Sequence, residues 1–102
     1  MATRVIYKLE ENGDILAAFP SLVGTRSPNT CQVFTASGEH AHAQVDYVKA
    51  LRPVTLTDAR ELHNILIARG YELVVVHDFT RADLVARIKQ LSAAHPEGEI
   101  QS

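Results

Sequence analysis

The chain has no tryptophan and a single cysteine, Cys31. One cysteine cannot close an intrachain disulfide, which fits a reducing, cytoplasmic setting. Neither sign of charge is in excess. Lysine and arginine number 10 and aspartate and glutamate 12, for a net charge of -2. That balance leaves no global basic field and argues against nucleic acid as a partner. No apolar run approaches the roughly 18 residues that a membrane helix needs. The opening MATRVIYKLEENG lacks the apolar core of a secretory signal. The phosphate-cradling patterns G-x-G-x-x-G and G-x-x-x-x-G-K-[ST] are missing, as is the G-x-S-x-G nucleophile elbow. No cofactor is expected. Internal repeats and low-complexity segments are absent too.

What is present reads as one globular domain. Apolar residues make up 46% and charged residues 22%, enough for one core and without a disorder signature. Residues 1–96 form that domain, and 97–102 form a frayed polar tail. Val5, Tyr7 and Leu9 alternate with Arg4, Ile6, Lys8 and Glu10, the period of a strand. Asn12-Gly13 signals a type I′ hairpin. Ile15–Phe19 returns as a second strand, stopped by Pro20. Residues 20–30 read as an exposed loop, and Thr30–Ala36 as a third strand ended by Ser37-Gly38. Ala41–Leu51 is alanine-rich and reads as a short helix, closed by Pro53.

A longer helix opens near Thr57-Asp58, with Thr55 or Thr57 as its cap, and Leu62, Ile65 and Leu66 on its stripe. Gly70 is the expected residue just past its end. The run from Tyr71 to Val76 reads as a central strand covered on both faces. Thr80-Arg81-Ala82-Asp83 resembles a capping box. The helix it opens carries Leu84, Val85, Ile88 and Leu91 as its apolar stripe and ends at His95-Pro96. The predicted order is β-β-β-(α)-α-β-α. It is an α+β fold: an antiparallel meander of three strands plus a fourth, with helices on one face.

Groups capable of chemistry concentrate in G-E-H-A-H-A-Q-V-D-Y. This segment holds Glu39, His40, His42, Asp46 and Tyr47, the candidate functional surface. Two backbone shapes give two chemistries. An extended segment projects His40 and His42 to one side, where both imidazoles could chelate a metal with Cys31, Glu39 or Asp46 as a third ligand. A helix turns them about 200° apart and instead stacks His42 over Asp46 as an oriented base. The helix is the expected form. The bland alternative is a set of solvated polar residues at a strand-to-helix junction. Cys31 reads as a small buried hydrophobe before it reads as a nucleophile or ligand. His63 reads as a half-buried boundary residue.

The stretches I-Y-K, N-G-D-I-L-A-A-F-P, C-Q-V-F, G-E-H, D-Y, L-R-P and G-Y-E-L span roughly residues 4–76. Their order resembles a family of small uncharacterised proteins from bacteria, phages and other mobile elements. In that family an "ALFP"-like strand end precedes a "GQH…ADY" segment and a late "GY.L.V" strand. Phe19, Pro20, Cys31, Gly38, His40, Asp46 and Tyr47 take matching positions. Glu39 stands where the family has glutamine, and two extra residues separate His40 from Asp46-Tyr47. The resemblance implies no reaction, and it allows a phage or mobile-element setting.

The leading expectation is a non-enzymatic protein-binding module. Its partner is another protein, such as a host complex, or a second copy joined through a strand edge. The first strand with its hairpin and Thr30–Ala36 are the candidate edges. The alternative is a small metal- or histidine-dependent enzyme centred on His40, His42 and Asp46.

Overall fold

The computed structural model describes residues 2–94. Two of its hairpins close on the same turn. In the first, β1 (Thr3–Leu9) runs antiparallel to β2 (Ile15–Val23), with Leu9 opposite Ile15. The Gly13 N–H donates to the Glu10 carbonyl at 3.0 Å, and the Glu10 N–H to the Asp14 carbonyl at 2.8 Å. In the second, β3 (Thr30–Phe34) turns into β4 (His40–Gln44). Gly38 N–H to Thr35 carbonyl and Thr35 N–H to Glu39 carbonyl repeat the pattern, both at 2.9 Å. The fourth residue of each turn has a φ near +90°, +91° at Gly13 and +88° at Gly38, which glycine adopts without strain. No described non-glycine residue has positive φ. The Asn12-Gly13 hairpin therefore forms, but with one left-handed residue and a glycine bulge rather than the two that type I′ requires.

The sheet runs β4-β3-β2-β1, and two short strands share the far side of β1. β5 (Arg52–Pro53) pairs antiparallel with its Lys8–Leu9 end. β6 (Leu73–Val75) pairs parallel with its Thr3–Val5 end. On one face, Val5, Tyr7, Ala17, Phe19 and Phe34 pack against Ala59 and against Leu62 and Leu66 of α2 (Arg60–Ala68). Each such leucine contributes about 1.5–3 kcal/mol by leaving water. On the other face, Leu16, Ala18, Cys31 and Val33 pack against Val45 and Val48 of α1 (Val45–Ala50), with Phe79 beside them. The α+β class holds. The helices, however, divide between the two faces, where one face was expected.

Several boundaries move. β2 continues through Pro20 to Val23, because its pairing with β3 shifts between Phe19 and Val23 and the proline sits in that irregularity, where no ladder donor is needed. β3 is interior, covered by β4, and β1 is interior too, so neither expected edge is an edge. Among the described residues β6 is a short strand paired only with β1 and not a central one: Leu73 and Val75 pack on the α2-side core, while Val74 is exposed. α2 starts later than the expected Thr57-Asp58: residues 56–59 form a turn in which the Thr55 hydroxyl accepts the Asp58 N–H at 3.2 Å, and the helix begins at Arg60 with Ala59 at its N-cap and no side-chain cap. Gly70 ends it with φ +101°, letting Tyr71 N–H reach back to the Leu66 carbonyl.

The last helix, α3 (Arg81–Ala94), opens with the expected capping box. Thr80 N–H donates to Asp83 Oδ2 at 2.8 Å, and Asp83 N–H to Thr80 Oγ1 at 3.2 Å. Only half of its expected stripe turns inward, Leu84 and Leu91 being half-buried. Asp83 and Arg87 are the buried residues, while Val85 and Ile88 are 41% and 45% exposed. Asp83 takes Arg4 Nε and Nη2 at 2.7 and 3.1 Å, and Ser21 Oγ at 2.5 Å. Arg87 donates to the Pro20 carbonyl at 2.5 Å and the Pro28 carbonyl at 2.7 Å. Gln90 donates to the Ser21 carbonyl and accepts the Val23 N–H. The irregular end of β2 leaves backbone groups without ladder partners, and α3 supplies polar side chains to satisfy them. The expected helix end at His95-Pro96 and the polar tail 97–102 lie outside the described residues.

Candidate functional site at the β4 edge

The histidine segment is a strand, not the expected helix. His40–Gln44 forms β4, and the helix begins only at Val45. The turn at Gly38 explains it: once Thr35 and Glu39 close the hairpin, the next residues extend the ladder on β3. His40 lies opposite Phe34, and His42 opposite Gln32. Phe34 belongs to the α2-side core, so both imidazoles rise from that face.

His40 is held by two neighbours, Tyr71 and Phe34. Its Nε2 and the Tyr71 hydroxyl are hydrogen-bonded at 2.8 Å. Its ring meets the Phe34 ring edge-on, with centroids 5.0 Å apart. Tyr71 in turn stacks on Phe19 at 5.3 Å. Arg69 lays its guanidinium over Phe34 at 4.9 Å and donates to the Gly38 carbonyl at 3.3 Å. His40, Arg69, Gly70 and Tyr71 thus line a shallow, open hollow beside the strand. His42 sits next to Gly24. A Cβ at Gly24 would come within 2.7 Å of His42 Cβ and 2.6 Å of the Cys31 carbonyl oxygen, so only glycine lets the 24–29 loop pass there.

The remaining sequence candidates lie elsewhere. Glu39 is in the turn, exposed. Asp46 and Tyr47 sit on α1, which covers the opposite face. Among the described residues no hydrogen bond joins Asp46 to His42, so the expected His42–Asp46 pairing is not formed. It needed an (i, i+4) helical step, and His42 is in a strand. Tyr47 donates to Glu10 Oε1 at 3.1 Å, a bond that raises its phenol above the usual value. Cys31 pairs with Ala43 and is fully buried on the α1 side, away from both histidines. Burial raises its thiol to about 11, although the Arg87 charge pulls the other way. Its burial fits the expected small core residue. Within the described residues of one chain, no group of three or more His, Cys, Asp or Glu could hold a metal ion.

No sequence motif joins Arg69, Tyr71 and Phe34 to the histidine segment. They are distant in the chain; Gly70, correctly read as a helix end, was the one nearby signal. His63 is the half-buried residue expected, with Nδ1 2.8 Å from the buried Tyr7 hydroxyl, whose pKa burial raises to about 12.

No described helix is long and apolar enough to cross a membrane. No protein-family model matches the chain, and no significant match appears among curated proteins or solved structures.

The outer side of β4 is the feature that remains. Thr35 N–H bonds the Glu39 carbonyl, and Val45 N–H bonds the Asn29 carbonyl. Both pairs share the β3–β4 register, in which Cys31 faces Ala43 and Val33 faces Ala41. Hydrogen-bonded pairs alternate in an antiparallel ladder, so the backbone groups of Ala41 and Ala43 point to β3. Those of His40, His42 and Gln44 point outward. Among the described residues no strand pairs with them.

Proposed function

We propose that this chain is a non-enzymatic protein-binding module that recruits an extended segment of another polypeptide onto β4. The observation that carries this reading is the outward row of backbone donors and acceptors at His40, His42 and Gln44. Folded proteins commonly blunt such a row with lysine, proline or a bulge. The HAHAQ strand has none of these, and it carries no Asp, Glu, Lys or Arg. An added strand would take its affinity from main-chain hydrogen bonds and its selectivity from the pockets flanking them. The hollow at His40, Arg69 and Tyr71 offers one such pocket on the α2 side. The mobile-element resemblance adds a host complex as the kind of partner.

His42→Pro tests the reading. It removes one outward N–H while leaving every β3–β4 bond in place. Partners captured by the wild-type chain and lost by this variant are the expected result. The same partners held equally by both proteins would rule out the β4 edge.

A further inference from the structure

We propose that one occupant of the β4 edge is a second copy of this chain, joined antiparallel about Ala41, and that the junction holds a divalent transition-metal ion between four imidazoles. The inference rests on the strand-addition reading and adds a partner and a ligand to it.

The ladder geometry restricts how two copies can meet. Outward-pointing residues must pair with outward-pointing residues, so His40 and His42 of one copy can face only the outward residues of the other. A two-fold axis at Ala41 sets His40 against His42 of the second copy, and His42 against His40. Ala41 then faces its own counterpart in a non-hydrogen-bonded pair, where Cα atoms approach to about 4.5 Å and a small side chain fits. The strand is uncharged with neutral imidazoles, so no carboxylate or ammonium opposes its own copy there.

That register builds a metal site neither copy has alone. His40 and His42 are two residues apart on one face, about 6.7 Å along the strand. Across the junction their Cα atoms lie about 5.5 Å apart. Four imidazoles rise from the corners of this block, on the same side of the continued sheet. Four nitrogen ligands at about 2.0–2.1 Å are a complete tetrahedral shell for zinc. A second observation fits a ligand role for His40. Its Nε2 is already held by the Tyr71 hydroxyl and its ring is steadied by Phe34, leaving Nδ1 for the ion. Hydrogen bonds to the far nitrogen orient metal-bound histidines in this way.

The test is sedimentation velocity on the full chain, stripped with EDTA and titrated with zinc chloride at neutral pH. Zinc should drive the chain to a dimer that saturates at one ion per two chains. His40→Ala and His42→Ala should each abolish the response. Both residues are exposed, so neither change threatens the fold. Tyr71→Phe should shift the zinc midpoint upward about 10- to 100-fold without altering association in EDTA. A zinc response that survives His40→Ala overturns the four-imidazole site, as does one ion bound per monomer. A dimer that forms in EDTA, is lost in His42→Pro and ignores zinc would sink the metal site and leave strand addition standing. A chain that stays monomeric with saturating zinc refutes the inference, and partner capture by wild type against His42→Pro then judges the broader reading separately.

Discussion

Asp83 shows how one side chain can anchor an element. It is 1% exposed and receives hydrogen bonds from Arg4, Ser21 and Thr80. Burial by itself would raise its carboxyl, but those bonds outweigh burial and hold it below the ordinary carboxylate value. The sign of the stability effect follows. Above the unfolded value of about 3.9 both states are ionised and the stabilisation is fully present. As pH falls below that, the unfolded chain takes up the proton first, and the stabilisation is lost through the lower folded value. Asp83→Asn should cost on the order of 3 kcal/mol at neutral pH, the low end for a broken buried pair, because Arg4 keeps a third of its surface exposed. Urea midpoints taken from neutral pH downward should show the gap between wild type and variant closing below about pH 4. A gap independent of pH would contradict the assignment.

At the scale of elements, α3 is oriented by its polar residues. Periodicity points to Leu84, Val85, Ile88 and Leu91 as its inner stripe, yet Val85 and Ile88 are exposed and Asp83, Arg87 and Gln90 make its bonds to the sheet side. The spacing is helical either way. Which stripe turns inward depends on the free carbonyls and amide at the irregular end of β2 and in the 24–29 loop, and no local pattern encodes those. Arg87→Ala should therefore destabilise the fold by about 2–4 kcal/mol, through unsatisfied buried carbonyls and the cavity left behind. Ile88→Lys should stay within about 0.5 kcal/mol. Thermal or urea unfolding of the two variants checks the ordering, and the reverse ordering would show that the apolar stripe is the packed one. β4 departs from the expected helix for a related reason. Alanine-rich HAHAQ has reasonable helix propensity, but the Gly38 turn delivers it to the β3 ladder, and pairing overrides propensity.

On the scale of the whole molecule, the sheet ends at β4 with its outer backbone unpaired among the described residues. In dilute solution the amides of Ala41 and Ala43 should exchange slowly with deuterium, and those of His40, His42 and Gln44 quickly. Raising the concentration, or adding a bound partner, should slow the second set and leave the first unchanged. Uniform protection along the strand at high dilution would show the edge to be covered. The α+β class, the first hairpin, the helix ends at Gly70 and Thr80, and the burial of Cys31 were all readable from the chain. Each rests on residues within one turn or one strand period, where spacing and local chemistry decide the outcome. The sequence also marked His40 and His42 as the segment to watch. Their shape, their neighbours Tyr71, Arg69 and Phe34, and their place at an open edge were decided by tertiary structure. Strand order and the facing of a helix are set by which distant backbone groups still need partners, and that is a property of the assembled sheet.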